Sequence, residues 1–280
     1  MSADLRLTDC HLHLQDPPLL DRLEEVLDRA RRAGVARFVT NGTSEADWPE
    51  VARIAGRFPE VVPCFGLHPW FVGERSPRWL DELERRLRLV PSGVGEIGLD
   101  RWKQGLDERA QEEVFRAQLD LARRLGRPAM IHCVKAWDWL MEVLTSEPPL
   151  PAGMLIHAFG GPVEMIGALS RMGAWFSFAG DTLEERKTHK RAALLAAPRD
   201  RLLLETDAPD LLPPPAFRPG TVRDRDGREK NEPANLPAVL RGVAAVLGET
   251  EERLALSVGE NSRVLLNRIA PSLIHGPEKP

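Results

Sequence analysis

Short runs of continuous or alternating hydrophobic positions recur along the chain, and segments with apolar residues three and four apart separate them. The short runs are typical of buried strands, and the longer spacing is typical of amphipathic helices. The pattern predicts eight strands: Arg6–Leu14, Arg37–Gly42, Val61–Leu67, Gly93–Leu99, Pro128–Cys133, Gly153–Ala158, Ala174–Phe178 and Arg201–Thr206.

Helical spacing lies between these strands. Apolar positions recur through Leu19–Ala30 and through Val114–Leu125, and the second segment is followed by Gly126 and Pro128. A glycine and then a proline mark the end of a helix. Because strand and helix alternate eight times, the predicted fold is α/β, a (β/α)8 TIM barrel with extra C-terminal helices, in preference to an open sheet.

Two stretches depart from the alternation. Asp210–Pro233 is rich in proline, arginine and aspartate and is predicted to be a long loop at the mouth of the barrel. Ala234–Arg268 is predicted to form two or three helices, and the last dozen residues a frayed tail. These helices are expected at Leu236–Leu247, Glu251–Ser257 and Asn261–Asn267. Residues 1–280 are interpreted as a single barrel domain with its core at about 5–268.

Net charge, apolar runs and cysteine content limit the kinds of partner and cellular compartment to expect. The net charge of −4 gives no general basic surface for nucleic acid, so a polyanionic substrate would have to be attracted locally. There is no leader-like segment or long apolar run, and the three widely spaced cysteines do not indicate a disulfide framework. We therefore expect a cytoplasmic protein without a membrane association, and the sequence indicates no stable protein partner.

Residues that can bind metals or transfer protons collect at the carboxyl ends of the predicted strands, where a barrel builds its active site. Five of the seven histidines lie there, together with two acids. They are His11 and His13 near the end of strand one, His68 after strand three, Glu96 in strand four, His132 and His157 near the ends of strands five and six, and Asp207 after strand eight.

Each member also has an ordinary structural explanation. His68 before a proline suits a turn, a lone His132 or His157 suits a core position, and Glu96 or Asp207 suits a bend. One shared site accounts for all of them together. Other notable residues are interpreted as structural: His189, His275, Cys10, Cys133, Trp137 and Trp139.

Four imidazoles and two carboxylates suit divalent metal ions, with Mg, Mn and Zn all open. One catalytic ion ordinarily takes about three protein ligands, whereas six suit two ions roughly 4 Å apart that share a carboxylate. Glu96 is predicted to be this bridge. One ion would be held by His11, His13 and Asp207, and the other by His132 and His157.

Two acids near the end of strand eight have further predicted roles. Asp207 is expected to orient the attacking water and to accept its proton, so Asp207 and Glu96 are the catalytic candidates. Glu205 lies two residues earlier on the same face of the strand. We expect it to lie behind the ligands and to steady a histidine.

The motifs around these residues resemble, in the same order, those of the TatD family of metal-dependent deoxyribonucleases. They are Thr8–His13, Gly66–Pro69, Gly95–Asp100, Ile131–Cys133, Ile156–Gly161, Glu205–Pro209 and Asn231–Asn235. The resemblance implies a metallohydrolase barrel with ligands at the same six positions. It also implies hydrolysis of phosphodiester bonds in DNA, single-stranded or at frayed ends, typically as a 3′–5′ exonuclease. His68 would then contact a phosphate.

The sequence departs from the family pattern at the positions expected to face substrate. Val134-Lys135-Ala136 follows His132 where family members often have an arginine and an acid, and Arg101-Trp102-Lys103 follows Asp100 where they usually have aromatic residues. A lysine keeps the charge but lacks the bidentate fork of arginine. We expect Lys135 and Arg101 to contact substrate. Further candidates are Lys103 after strand four and five residues of the long loop, which also suits a solvated run of charges: Arg218, Arg223, Arg225, Arg228 and Lys230.

Two other classes of function remain open. A related amidohydrolase-type barrel could act on a small amide, ester or phosphoester. Many such barrels bridge their metals with a carboxylated lysine on strand four, and Glu96 occupies that place here, which disfavours this alternative. A metal-binding scaffold without turnover is the third class, and the complete ligand set argues against it.

Overall fold

The structure is a computed structural model that describes residues 6–270. Eight strands form one sheet in which each strand neighbours the next in chain order, with parallel pairing. They are β1 (Leu7–Leu12), β2 (Val35–Asn41), β3 (Val61–Phe65), β4 (Gly93–Asp100), β5 (Ala129–Val134), β6 (Met154–Ile156), β7 (Ala174–Phe178) and β8 (Leu202–Leu204). The predicted (β/α)8 TIM barrel with extra C-terminal helices is confirmed.

Helices alternate with these strands, and two more follow a short hairpin. The helices are α1 (Pro17–Leu20), α2 (Leu23–Ala33), α3 (Trp48–Arg57), α4 (Trp79–Leu89), α5 (Glu108–Leu125), α6 (Trp137–Ser146), α7 (Val163–Arg171), α8 (Thr188–Ala196), α9 (Leu236–Leu247) and α10 (Glu251–Ile269). The hairpin strands are β9 (Val222–Arg223) and β10 (Glu229–Lys230). Among the helices of residues 6–270, none combines the length and the hydropathy that a membrane span requires.

The described chain packs as two compact units. The first comprises residues 6–40, 158–166 and 176–264, and it contains β1, β8 and most of β2 and β7. The second comprises residues 41–157, 167–175 and 265–270, and it contains β3 to β6. That residues 1–280 act as a single domain stays a prediction.

The burial of each element follows from its sequence pattern. Every residue of β3 and of β4 is buried, as expected where side chains fill the interior of a barrel and helices cover its outside. The helix α2 instead buries one stripe, with Leu23, Val26, Leu27 and Ala30 three, one and three residues apart.

Two C-terminal predictions need correction. The predicted helices Glu251–Ser257 and Asn261–Asn267 are one continuous helix, α10. The side chain of Asn261, which resembles a helix start in sequence, instead donates hydrogen bonds to the carbonyl oxygens of Arg199 (2.7 Å) and Leu202 (2.8 Å). The segment 210–233, predicted as a loop, also contains the short β9–β10 hairpin, which the sequence pattern did not predict. The predicted tail beyond residue 270, with His275, lies outside the described residues.

The glycines of β4 are explained by its close approach to β5. A Cβ at Gly95 would lie 2.4 Å from Cβ of Met130. A Cβ at Gly98, where φ is +148°, would lie 1.9 Å from the carbonyl oxygen of His132. The spacing of these glycines therefore lets Glu96 sit on a strand packed against the strand that carries His132.

Replacing Gly98 with alanine is expected to lower the free energy of unfolding by about 3 kcal/mol or more, because the methyl group meets backbone that cannot move aside. Chemical denaturation measures the effect. Gly56→Ala is the matched control, since nothing lies within 4 Å of a Cβ there and the residue is in α3. That control should be neutral or stabilising by up to about 1 kcal/mol. Equal stability of the two variants would contradict the close approach of β4 and β5.

Candidate functional site

The first compact unit brings together three predicted ligands. His11 and His13 lie at the end of β1, and Asp207 follows β8. Oδ1 of Asp207 lies 3.7 Å from Nε2 of His11 and 3.5 Å from Nε2 of His13. All three residues are buried, and their ligand atoms lie within 4.8 Å of one another. This group has the residue types and spacing of a divalent-metal site.

Bonds between β1 and the segment after β8 hold this group in place. The backbone N–H of Asp207 donates to the carbonyl of His11 (3.0 Å), and that of His13 donates to the carbonyl of Ala208 (2.8 Å). The side-chain amide of Asn231 donates to the carbonyl of Thr206 (2.8 Å). The Asn231–Asn235 motif therefore supports the turn that presents Asp207.

Asp9 is a buried acid of this unit that the sequence analysis did not select. It accepts hydrogen bonds from the backbone N–H and the hydroxyl of Thr206. Burial raises the pKa of Asp9 to about 8, despite these hydrogen bonds. The available signal was that Asp9 lies in the motif Thr8–His13 and Thr206 in the motif Glu205–Pro209, because both motifs contain predicted ligands.

The second compact unit gathers three imidazole nitrogens around one carboxylate oxygen. Oε1 of Glu96 lies 2.9 Å from Nε2 of His157, 3.1 Å from Nδ1 of His132 and 3.3 Å from Nε2 of His68. Glu96 is only 3% exposed. Two ligand atoms of one zinc-like ion, each about 2.0–2.1 Å from it, lie roughly 3 Å apart. The donors and spacings of this group therefore fit a divalent metal ion.

The hydrogen bonds of His132 and His68 indicate different roles for these two histidines. Nε2 of His132 lies 2.9 Å from Oδ2 of Asp100, so in the neutral ring the proton is on Nε2, and the lone pair of Nδ1 is left for a metal ion on the side of Glu96. Nδ1 of His68 accepts a hydrogen bond from the backbone N–H of Trp70 (3.2 Å). The proton of neutral His68 is therefore on Nε2, which can donate but cannot bind a metal. His132 fits the role of ligand, and His68 fits that of a hydrogen-bond donor.

The charges around His132 favour a cation. Burial would lower the pKa of His132, but its hydrogen bonds to Asp100 and Glu96 outweigh burial and raise it. Burial would likewise raise the pKa of Asp100, but hydrogen bonds from His132, the backbone of Lys103 and Trp70 together hold it well below its usual range. Two carboxylates thus place negative charge on both sides of this imidazole.

Replacing Asp100 with asparagine is expected to weaken metal binding about 10- to 100-fold, since the residue that orients His132 loses its charge. Calorimetric titration of metal into the stripped protein measures this. Asp81→Asn, at an exposed position in α4, is the matched control and should bind metal like the wild type. Unchanged affinity in Asp100→Asn would show that Asp100 does not orient a ligand.

Glu205 lies deeper in the first unit and is fully buried. It accepts a hydrogen bond from the backbone N–H of Ala158 (2.7 Å), the residue after His157, and another from the hydroxyl of Ser177. It therefore braces the segment that follows a predicted ligand. That it steadies a histidine side chain stays a prediction.

Two glutamines of α5 support the second group and were missed in the sequence. Gln111 makes paired hydrogen bonds with the backbone of Asp100 (2.8 and 3.0 Å), and Gln118 makes the same pair with Leu67 (2.7 and 3.1 Å). The two are seven residues apart within the buried stripe of the helix. Polar residues on an otherwise apolar stripe were the available signal.

The basic residues predicted to contact substrate differ in whether an acidic residue already pairs with them. Arg101 makes a two-pronged ion pair with Glu108 (2.8 and 2.9 Å) and lies over the ring of Trp139. Lys135 is exposed and forms no hydrogen bond or ion pair within residues 6–270. Five basic residues of the loop each lie 3.3–3.9 Å from an acid: Arg218, Arg223, Arg225, Arg228 and Lys230. Lys135 is therefore the better candidate for a phosphate contact.

Four of the residues interpreted as structural have the following surroundings, and their structural role stays a prediction. His189 is exposed, Cys10 and Cys133 are buried free thiols, and Trp139 is buried with its N–H donated to Glu112 (2.6 Å).

Comparison with known proteins adds an independent line of information. The sequence model of the family described as TatD related DNase matches residues 8–267. The 3′-5′ ssDNA/RNA exonuclease TatD of Pantoea vagans (strain C9-1) is 35% identical over 265 residues, covering 92% of this chain and 98% of the relative. The protein of the same name from Erwinia billingiae (strain Eb661) is 34% identical, covering 86% and 92%. The crystal structure of YJJV, a TatD homolog from Escherichia coli K12, superposes with a TM-score of 0.86 at 27% identity, covering 94% and 98%.

Proposed function

The chain belongs to the TatD family of DNases, and on that premise we propose that it removes nucleotides from the 3′ end of single-stranded nucleic acid by metal-dependent hydrolysis of phosphodiester bonds. The observation that carries the proposal is the convergence of His132 Nδ1 and His157 Nε2 on Oε1 of Glu96 at 3.1 and 2.9 Å. The relatives' names include RNA, so the proposed substrate is broader than the DNA implied by the sequence motifs.

Two divalent ions are part of the proposal. His11, His13 and Asp207 would hold one, and His132 and His157 would hold the other, with Glu96 shared between them. The proposal is supported by the two ligand groups and by the placement of their histidines and of Asp207 at or near the carboxyl ends of barrel strands, with Glu96 inside β4. A bound divalent ion supplies Lewis acidity and lowers the pKa of a water ligand.

The remaining roles belong to side chains of this chain. Asp207 would accept the proton of the attacking water. His68 would donate its Nε2–H to a phosphate oxygen, which the hydrogen bond from Trp70 to its Nδ1 supports. Lys135 would provide the positive charge, supported by its exposure and its lack of a partner within residues 6–270. A reducing, cytoplasmic setting is also proposed, supported by the buried free thiols of Cys10, Cys64 and Cys133.

The test is to remove metal with a chelator and to restore Mg, Mn or Zn one at a time. Single-stranded DNA and RNA labelled at the 5′ end should be shortened stepwise from the 3′ end in at least one restored sample and in none of the chelated ones. Cleavage that survives chelation, internal cuts, or shortening from the 5′ end would contradict the proposal. Hydrolysis of a small amide or ester with no action on oligonucleotides would instead favour the amidohydrolase alternative.

A further inference from the structure

An exposed tryptophan lies beside the second ligand group. Trp102, in the loop between β4 and α5, is 55% exposed, although exposed large apolar side chains are few in the described chain. Its ring stacks on that of Trp70, with centroids 6.0 Å apart and an angle of 25° between the planes. Trp70 lies in the short 3₁₀ turn that follows His68. Two aromatic rings thus form a step that is open to solvent on the side of Trp102.

Asp100 connects the Trp102–Trp70 step to His132, a predicted metal ligand, through hydrogen bonds. Its Oδ2 accepts hydrogen bonds from Nε1 of Trp70 and from Nε2 of His132, both at 2.9 Å. Its Oδ1 accepts the backbone N–H groups of Trp102 (2.6 Å) and Lys103 (2.9 Å). One carboxylate therefore fixes His132, Trp70 and the loop that carries Trp102 in a single arrangement.

Basic residues lie near the two rings in the fold. Nζ of Lys103 lies 4.7 Å from the centroid of the Trp70 ring. Lys135 follows β5 next to this loop, because Val134 pairs in register with Asp100 and accepts a hydrogen bond from the N–H of Arg101 (3.0 Å). Of the three basic residues, Arg101 is committed to Glu108, whereas Lys103 and Lys135 form no ion pair within residues 6–270.

We propose that the Trp102–Trp70 step stacks an unpaired nucleobase of the substrate strand, while Lys135 and Lys103 contact the phosphates that flank it. Flat aromatic surface interleaved with lysine is the chemistry that recognises single strands without regard to base sequence. A base within a duplex has both faces covered, so the step selects single-stranded ends. The proposal rests on the proposed function for its choice of ligand, and it names a binding site rather than a step of the reaction.

Binding and hydrolysis are measured separately. Binding uses the metal-loaded protein and a labelled, phosphorothioate-linked single-stranded oligonucleotide that resists cleavage, followed by fluorescence anisotropy. Trp102→Ala should raise Kd about 5- to 150-fold, the range for loss of one base stack. Trp102→Phe should restore most of the affinity. An otherwise identical oligonucleotide without bases in its 3′-terminal segment should bind the wild type and Trp102→Ala with the same Kd.

Leu89→Ala is the matched control, because Leu89 is an apolar residue of the same compact unit that is 67% exposed at the end of α4. It should bind like the wild type, and metal content should be unchanged in every variant. Lys135→Met should reduce the log–log salt dependence of binding by roughly one unit.

The outcomes separate this proposal from the proposed function. If the wild type shortens oligonucleotides but Trp102→Ala binds them with unchanged Kd, the step is not a base platform. An equal loss on the substrate without bases also overturns it, since the lost contact would then be to the backbone. If the wild type binds with the predicted dependence on Trp102 and on bases but hydrolyses no oligonucleotide, the proposed function fails and the platform stands.

Discussion

Glu96→Gln is expected to lower metal-dependent hydrolysis roughly a thousandfold or more, equivalent to about 4 kcal/mol of transition-state stabilisation. The substitution keeps the size of the side chain but replaces the charged oxygen that three imidazole nitrogens face at 2.9–3.3 Å. If Glu96 is shared between two ions, both are loosened. The variant should therefore bind markedly fewer than two equivalents of metal.

Elemental analysis after equilibration with saturating metal measures this loss directly. His132→Ala serves as a comparison, because it should lose one ion and retain the other. Glu164→Gln, an exposed acid at the start of α7, is the control and should keep full metal content and activity. A wild-type protein that holds a single ion at saturation would refute the two-ion proposal, whereas a fully metallated and active Glu96→Gln would refute the role of Glu96.

The strands could be predicted because each carries its own signal. In a barrel with helices outside and side chains inside, a strand such as β4 is buried on both faces, so it appears in the sequence as a short apolar run. The candidate ligands could be located from the same runs, because a chain that alternates strand and helix sends the carboxyl end of every strand to one rim. His11 and Glu96 therefore needed no knowledge of distant contacts.

What the sequence did not reveal depends on contacts between distant segments. Asp100 is an ordinary strand-ending acid in sequence, and only the fold gives it His132 and Trp70 as donors. Gln118 bonds to Leu67, 51 residues away, and no local pattern predicts such a partner. The sequence pattern predicts a helix that begins at Asn261, yet this residue lies within α10 and the hydrogen bonds of its side chain go to Arg199 and Leu202.

Asp207→Asn should reduce turnover at least about a hundredfold while leaving the fold intact. The amide cannot accept the proton of water, and it is a poor substitute for the carboxylate near His11 and His13. The backbone should tolerate the change, because Asp207 has a φ of +53° and asparagine adopts that region readily. The backbone N–H that bonds to the carbonyl of His11 is also unchanged.

Asp210→Asn is the matched control. Asp210 is an exposed acid three residues after Asp207, and its Oδ1 lies 3.4 Å from Nζ of Lys230. Its kcat should match the wild type, and the thermal unfolding midpoints of both variants should lie close to it. A general base and a metal ligand are distinguished by adding metal: a pure ligand defect is rescued at high concentration, whereas loss of the proton acceptor persists at saturation. Near-normal kcat in saturated Asp207→Asn would therefore remove Asp207 from the chemistry and leave it a metal ligand only.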